Sequence, residues 1–230
     1  MFAILKNILA LIPMDQQYYI LKPSLDEKET GKAYPAVVSY SDYDFDGPRS
    51  IYKIRSDHFP DFVPDLRFKL ARGAKLCDMM TEATSSAVLR LVSQRFHDFI
   101  LSNAILPSHR FYDCFIETKD GIIKYYFLHL VNPELIEYID FEKTIFYKKK
   151  YSDNLGLLNI NSYSEYIAIK SELGTRYMRG IEKMTLIRPI PYDIFQMPLI
   201  YEMLISKKFY EKLQLQRFTG IETKPHNLTF

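Results

Sequence analysis

The sequence predicts an α+β protein, with a largely antiparallel or mixed sheet packed by a few helices and a β-rich N-terminal part. Three observations predict it. Helical and strand-like segments come in mixed order, with no regular βαβ alternation. The dipeptide Asp120-Gly121 separates two β-rich runs, which is a hairpin signal. Two amphipathic helices each start at a serine that closes an apolar run, in LVSQRFHDFI (Leu91–Ile100) and LISKKFYEKLQLQRFTG (Leu204–Gly220).

Taken in order, Met1–Pro13 (MFAILKNILALIP) is apolar but too short to cross a bilayer, and no small-residue cleavage site follows it. It reads as a start-site extension, with the natural product beginning at Met14, or else as a short helix packed on the domain. Gln17–Leu21 is a compact strand stopped by Pro23. Asp26–Lys32 (DEKETGK) reads as a charged loop and Ala36–Tyr40 as a second strand. SDYDFDGP (Ser41–Pro48) is an acidic turn, and Ile51–Ile54 alternates weakly. Leu66–Leu70 alternates with period two, as a half-buried strand does, and Ala74–Met80 resumes an apolar pattern.

Ser93 caps the first helix, where its hydroxyl accepts a bond from a first-turn N–H. Val92, Phe96, Phe99 and Ile100 then share one face. Phe111–Glu117 and Ile122–Val131 flank the hairpin turn. Glu137–Phe146 continues as strand or short helix, Lys148–Lys150 with Tyr147 and Tyr151 as a basic loop, solvated first and a contact for an anion or acidic partner second, and Ser164–Leu173 as helix or strand. Met184–Ile187 is a strand, and Tyr192–Met197 a short connection. Ser206 caps the second helix, Lys207–Leu215. Thr219-Gly220 is its expected stop, glycine adopting positive φ without steric cost, and Ile221–Thr223 is a last strand. A β-rich part (Met14–Ser85) and a second part (Ser86–Phe230) are expected to form one compact unit.

Composition bounds the function classes. With 230 residues, 47% hydrophobic, there is material for one sizeable core. A formal charge of +2 favours neither nucleic acid nor an anionic membrane as partner. Cys77 and Cys114 lack CxxC spacing and read as buried free thiols suited to a reducing compartment.

Candidate chemistry is sparse. Asp42, Asp44, Asp46 and Gly47 fit the first half of a calcium loop, but the twelfth position is Lys53 where a bidentate glutamate is needed. No metal is therefore expected. The carboxylates read first as a solvated acidic turn and second, interleaved with Tyr43 and Phe45, as a partner surface that steers by charge and anchors by aromatic rings. The five histidines show no metal-ligand spacing, and His129 reads as a structural histidine in a buried strand. Neither a nucleophile elbow nor a glycine-rich phosphate loop is present. Asp140 and Glu142 could imitate a carboxylate pair, yet on an alternating strand they would face one side without a pocket. Phe96 and Phe209 are core anchors, each contributing roughly 2–3 kcal/mol on burial. No catalytic residue and no cofactor is assigned.

Five segments stand in one order: VSQRFHDFI (Val92–Ile100), KYYFLHL (Lys124–Leu130), YIDFEKTIF (Tyr138–Phe146), ISKKFYEKL (Ile205–Leu213) and FTGIETKP (Phe218–Pro225). The chain resembles an immunity-protein family of bacterial polymorphic toxin systems, on these segments and on YYIL (Tyr18–Leu21) and LRFKLARGAKLCDMM (Leu66–Met80). The shared positions Ser93, Phe96, Tyr125, Tyr126, Asp140, Phe141, Ser206, Phe209, Thr219 and Gly220 are expected to be structural. Tyr151–Arg179 lies outside the resemblance, and Thr144 stands where the pattern leads one to expect serine. The resemblance implies a small cytoplasmic protein, encoded beside a toxin, that binds and neutralises it. Other readings are an enzyme reversing the toxin's product through Asp42, Asp44 or Asp140, and a structural module of a secretion complex.

Overall fold

A computed structural model describes residues 17–82, 89–174, 176–200, 202–226 and 228–229. The expected extension at Met1–Pro13 and the expected boundary at Ser85 lie outside the described residues. The architecture is α+β, with three sheets and a few helices.

In chain order the strands are β1 (Tyr18–Pro23), β2 (Val37–Ser39), β3 (Arg67–Leu70), β4 (Met79–Met80), β5 (Leu89–Ser93), β6 (Ser108–Thr118) and β7 (Gly121–Val131). They continue as β8 (Ile145–Lys150), β9 (Asp153–Leu158), β10 (Met178–Thr185), β11 (Ile194–Met197), β12 (Glu202–Ser206), β13 (Ile221–His226) and β14 (Leu228–Thr229). The helices are α1 (Glu27–Thr30), α2 (Gln94–Asn103), α3 (Tyr163–Leu173) and α4 (Lys207–Gln214). The chain divides into a larger compact unit, Tyr19–Glu137 with Ile190–His226, and a smaller one that contains Tyr138–Pro189.

The larger unit holds two sheets, of strand order β2-β3-β6-β7-β5-β4 and β11-β12-β1-β13. The β6–β7 hairpin is the long spine of the first, paired from Ser108↔Val131 to Thr118↔Gly121. Its two-residue loop is Lys119-Asp120, one position before the expected dipeptide, because Gly121 at φ 131° opens β7. One core cluster gathers Tyr43, Ile51, Phe68, Cys114, Tyr125 and Phe127 around this sheet. A second gathers Leu21, Val92, Phe96, Ile100, Leu128, Ile205, Phe209 and Leu213.

That second cluster has a repeated plan. The run β4-β5-α2 and the run β11-β12-α4 are each a short antiparallel strand pair leading through a serine cap into a helix. In sheet order, β7 lies beside β5 as β1 lies beside β12, and β6 and β13 take the next place. Tyr18-Tyr19-Ile20-Leu21 of β1 repeats Tyr125-Tyr126-Phe127-Leu128 of β7. The outer tyrosines do the same work. Tyr126 stacks on His97 of α2 at 4.2 Å, and Tyr19 stacks on Tyr210 of α4 at 3.8 Å. His97 and Tyr210 are each four residues beyond the capping serine. The second copy thus takes its inner strand from the beginning of the chain.

The smaller unit is a sheet of order β14-β10-β8-β9 with α3. Phe141, Phe146, Tyr163 and Tyr166 make its aromatic cluster, with ring centroids 5.6–6.5 Å apart. On β8, Tyr147 lies over Gly180 of β10, where a Cβ would meet the ring at 2.2 Å.

Several elements correct the sequence expectations. Asp26–Lys32 is not all loop, since Asp26 accepts the Lys28 N–H (3.0 Å) and starts α1. Ile51–Lys53 is a 3₁₀ turn. Lys148–Lys150 is the end of β8, and Ile194–Met197 is a fully buried strand where a connection was expected. Asp140 and Glu142 sit in a turn ahead of β8, so they form no alternating pair. Thr219-Gly220 is not the stop of α4, which ends at Gln214. β13 runs on through Pro225, which an edge strand tolerates because a missing donor there breaks no ladder bond.

Candidate functional site

The acidic loop is built from Tyr43 outward. Tyr43 is 8% exposed and belongs to the core cluster around the six-stranded sheet. Its hydroxyl accepts the Ile51 N–H (2.8 Å) and donates to the Asp65 carbonyl (3.2 Å). Tyr43 was expected on a partner surface; burial of its ring makes it the pin of the loop instead. The Asp44 carboxylate accepts the Asp46 N–H (3.1 Å), and the Gly47 N–H donates to the Asp44 carbonyl (3.3 Å). A Cβ at Gly47 would lie 2.7 Å from that carboxylate, so the turn closes on a glycine. Ser50 then caps the 3₁₀ turn by accepting the Tyr52 N–H (3.2 Å).

The outward side of this loop carries Asp42, Asp44, Phe45 and Asp46, all exposed. Phe45 is 44% exposed and packs between Tyr43 (5.0 Å) and Tyr52 (5.5 Å). The nearby Arg67 is engaged by Asp65 through two bonds of 2.7 and 2.8 Å. That pairing holds the Asp65 carboxyl below its ordinary value. Among the described residues, Asp42, Asp44 and Asp46 form no ion pair, so their charge faces solvent. Chemically the loop is a fixed set of hydrogen-bond acceptors beside two rings, suited to guanidinium and ammonium groups of a partner.

The remaining motif positions make hydrogen bonds and packing contacts within the fold. Ser93 accepts the Phe96 N–H (3.2 Å) and donates to Asp78 (2.7 Å), while Ser206 accepts the Phe209 N–H (3.1 Å) and donates to Asp193 (2.6 Å). Phe96 and Phe209 are completely buried. The Tyr125 hydroxyl donates to the Cys77 carbonyl (2.9 Å), and the Tyr126 hydroxyl to Gln94 (2.6 Å). Thr219 donates its N–H to Asp78 (2.8 Å), and Gly220 donates its N–H to Glu29 (2.9 Å). In the smaller unit, Asp140 accepts the Lys143 N–H (3.2 Å) and pairs with the Lys143 ammonium (3.0 Å), while Phe141 packs on Phe146. Lys143 holds the Asp140 carboxyl below its usual range.

Asp78 and Asp193 escaped the sequence reading. Burial by itself would raise the Asp78 carboxyl, but Arg95, the Thr219 N–H and the Ser93 hydroxyl together hold it below its ordinary value. Cys77 and Cys114 are buried free thiols, and burial pushes Cys77 up to about 12. Burial raises the Cys114 thiol as well, which disfavours the reactive thiolate form of both.

Comparisons with family models, with curated proteins and with solved structures find no match to this chain.

Proposed function

We propose that the chain is an immunity protein, which binds a cognate bacterial toxin and neutralises it by stoichiometric occlusion. The acidic loop is the observation that carries this reading. Three exposed carboxylates, in no ion pair among the described residues, and the half-exposed Phe45 and Tyr52 are held in place by the buried Tyr43 and by bonds within the turn. A pre-ordered charged and aromatic surface loses little freedom on docking, and its negative charge accelerates encounter with a basic partner. The motif residues Ser93, Phe96, Ser206 and Phe209 are engaged in caps and packing within the fold, and on this reading the exposed loops set partner choice. On this reading the protein works in the cytoplasm and turns nothing over.

The test is to mix the purified protein with the product of the adjacent reading frame. A one-to-one complex is expected, with protection complete at one chain per toxin. Protection at a small fraction of that ratio would favour the enzyme reading instead. Exchanging Asp42, Asp44 and Asp46 for asparagine keeps an acceptor for the Asp46 N–H and removes the charge. Association should slow at low salt and change little at high salt; an unchanged rate would take the loop out of the interface.

A further inference from the structure

We propose that the tip of the β8–β9 hairpin is a docking point for an acidic segment of a partner protein that also carries apolar side chains. Lys150 pairs with Asp153 across the hairpin, so Tyr151 and Ser152 form its two-residue loop. Tyr151 has φ 55°, the left-handed region, at the first loop position. A two-residue hairpin turn with positive φ at that position normally holds glycine there. Tyrosine is strained at such a site, and it gains no packing in return, being 81% exposed. Leu199, the other described non-glycine residue with positive φ, is half-buried. An exposed, strained ring points to a contact outside the chain.

The surroundings say what the contact is. Lys150, Tyr151, Arg176 and Met178 line an open hollow of about 530 Å³. Lys150 and Arg176 are exposed and, among the described residues, form no ion pair. Met178 is 51% exposed and lies opposite Lys149 on β10. On the same hairpin, Lys148 sits 3.9 Å above the Tyr177 ring and Leu157 is 72% exposed. The one carboxylate of the hairpin tip is Asp153, the register partner of Lys150. Two free cations flanking an aromatic and a thioether match a partner that offers carboxylates with apolar side chains between them. A nucleic acid fits less well, since a chain of net charge +2 gives little long-range attraction to phosphates. The proposal stands on this hairpin and does not require the partner to be a toxin. Its charge is opposite to that of the Asp42–Asp46 loop, so it takes a different kind of partner segment.

The probe is a fluorescein-labelled synthetic peptide of alternating Glu and Leu, read by anisotropy at low salt, with a labelled oligothymidine as the competitor class. The peptide should bind, and Tyr151→Gly should weaken it about fivefold or more while raising Tm, because glycine relieves the backbone. Lys150→Gln with Arg176→Gln should weaken binding and flatten its salt dependence, whereas Lys170→Gln, on α3, should do neither. Three results overturn the proposal: no peptide binding, unchanged binding by the glycine variant, or a lower Tm for it, which would make Tyr151 a structural residue. Tighter binding of oligothymidine than of peptide overturns the acidic protein partner in favour of nucleic acid.

Discussion

Asp78 and Asp193 each hold the serine of their own half and the backbone of the other half. Asp78 accepts from the Ser93 hydroxyl and from the Thr219 N–H, which follows α4 (2.7 and 2.8 Å). Asp193 accepts from the Ser206 hydroxyl and from the Ile105 N–H, which follows α2 (2.6 and 2.9 Å). The return bonds match as well. The Asp78 N–H donates to the Thr219 carbonyl (2.9 Å) and the Asp193 N–H to the Ile105 carbonyl (2.7 Å). The two halves are therefore tied by exchanged ends, and neither can open without breaking both carboxylate clusters.

Asp193→Ala leaves the buried Ser206 hydroxyl and the part-buried Ile105 N–H without their acceptor. Each such group costs roughly 1–3 kcal/mol, so a total loss of about 2–5 kcal/mol is expected in urea denaturation. Asp78→Ala should cost a similar amount, and it should also release the Arg95 guanidinium from its partner. A loss under about 1 kcal/mol for Asp193→Ala would mean that the bonds are replaced by water and that the tie is weak.

The two capping serines should separate in cost. Replacing a cap by alanine usually costs about 1 kcal/mol. Ser206 is 5% exposed, whereas Ser93 is only half-buried. Water can reach the orphaned Phe96 N–H more easily than the Phe209 N–H. Ser206→Ala is expected to be the more damaging by denaturant midpoint, and equal midpoints would argue against burial as the cause.

The echo of the two serine helices was legible because capping serine, core phenylalanine and helical spacing all lie within eight residues. The reason for the echo was not. Asp78 and Asp193 stand 15 and 13 residues ahead of their serines, and each works through a backbone segment far along the chain. The pairing of β1 with the second half was equally hidden, although YYIL and YYFL could be read side by side. β11 was missed because Ile194–Met197 is buried on both faces and lies between two prolines, so no alternation marks it. At the acidic loop, alternating acids and rings suggested a surface, but the pattern could not tell that Tyr43 turns inward while Phe45 stays half-exposed.

His129 is expected to make the protein sensitive to mild acid. It is fully buried on β7, where its Nε2–H donates to the Arg55 carbonyl (2.8 Å) and its Nδ1 lies 3.4 Å from the Tyr112 hydroxyl. Burial holds its pKa below the ordinary value, with Arg110 and His58 acting in the same direction against the Arg55 carbonyl. Burial lowers His226 likewise. As pH falls past the unfolded value of about 6.5, the unfolded chain takes up these protons before the folded one does, and stability is lost. The urea midpoint should therefore drop between about pH 7 and pH 5. His129→Gln keeps an N–H for the Arg55 carbonyl and should flatten that drop while lowering stability at pH 7. An unaltered pH slope in this variant would assign the acid sensitivity elsewhere.

Gly220 and Gly121 share a positive φ but not a neighbourhood, and alanine separates the two effects. At Gly121, with φ 131°, a Cβ would meet nothing within 4 Å, so Gly121→Ala carries only the backbone strain, on the order of 1–3 kcal/mol. At Gly220, with φ 71°, the same atom would stand 2.4 Å from the Cys77 sulfur and 2.5 Å from the Met79 carbonyl oxygen. The carbonyl cannot yield without moving β4, beside the Asp78 cluster. Forcing a methyl into such a site adds roughly 1–3 kcal/mol, so Gly220→Ala should be the more destabilising by about that margin in denaturant melts. Cys77→Ala removes the nearest atom and should recover part of the loss in the double variant. If Gly220→Ala costs no more than Gly121→Ala, the glycine is there for its dihedral angle and the close approach of Thr219-Gly220 to β4 is not what requires it.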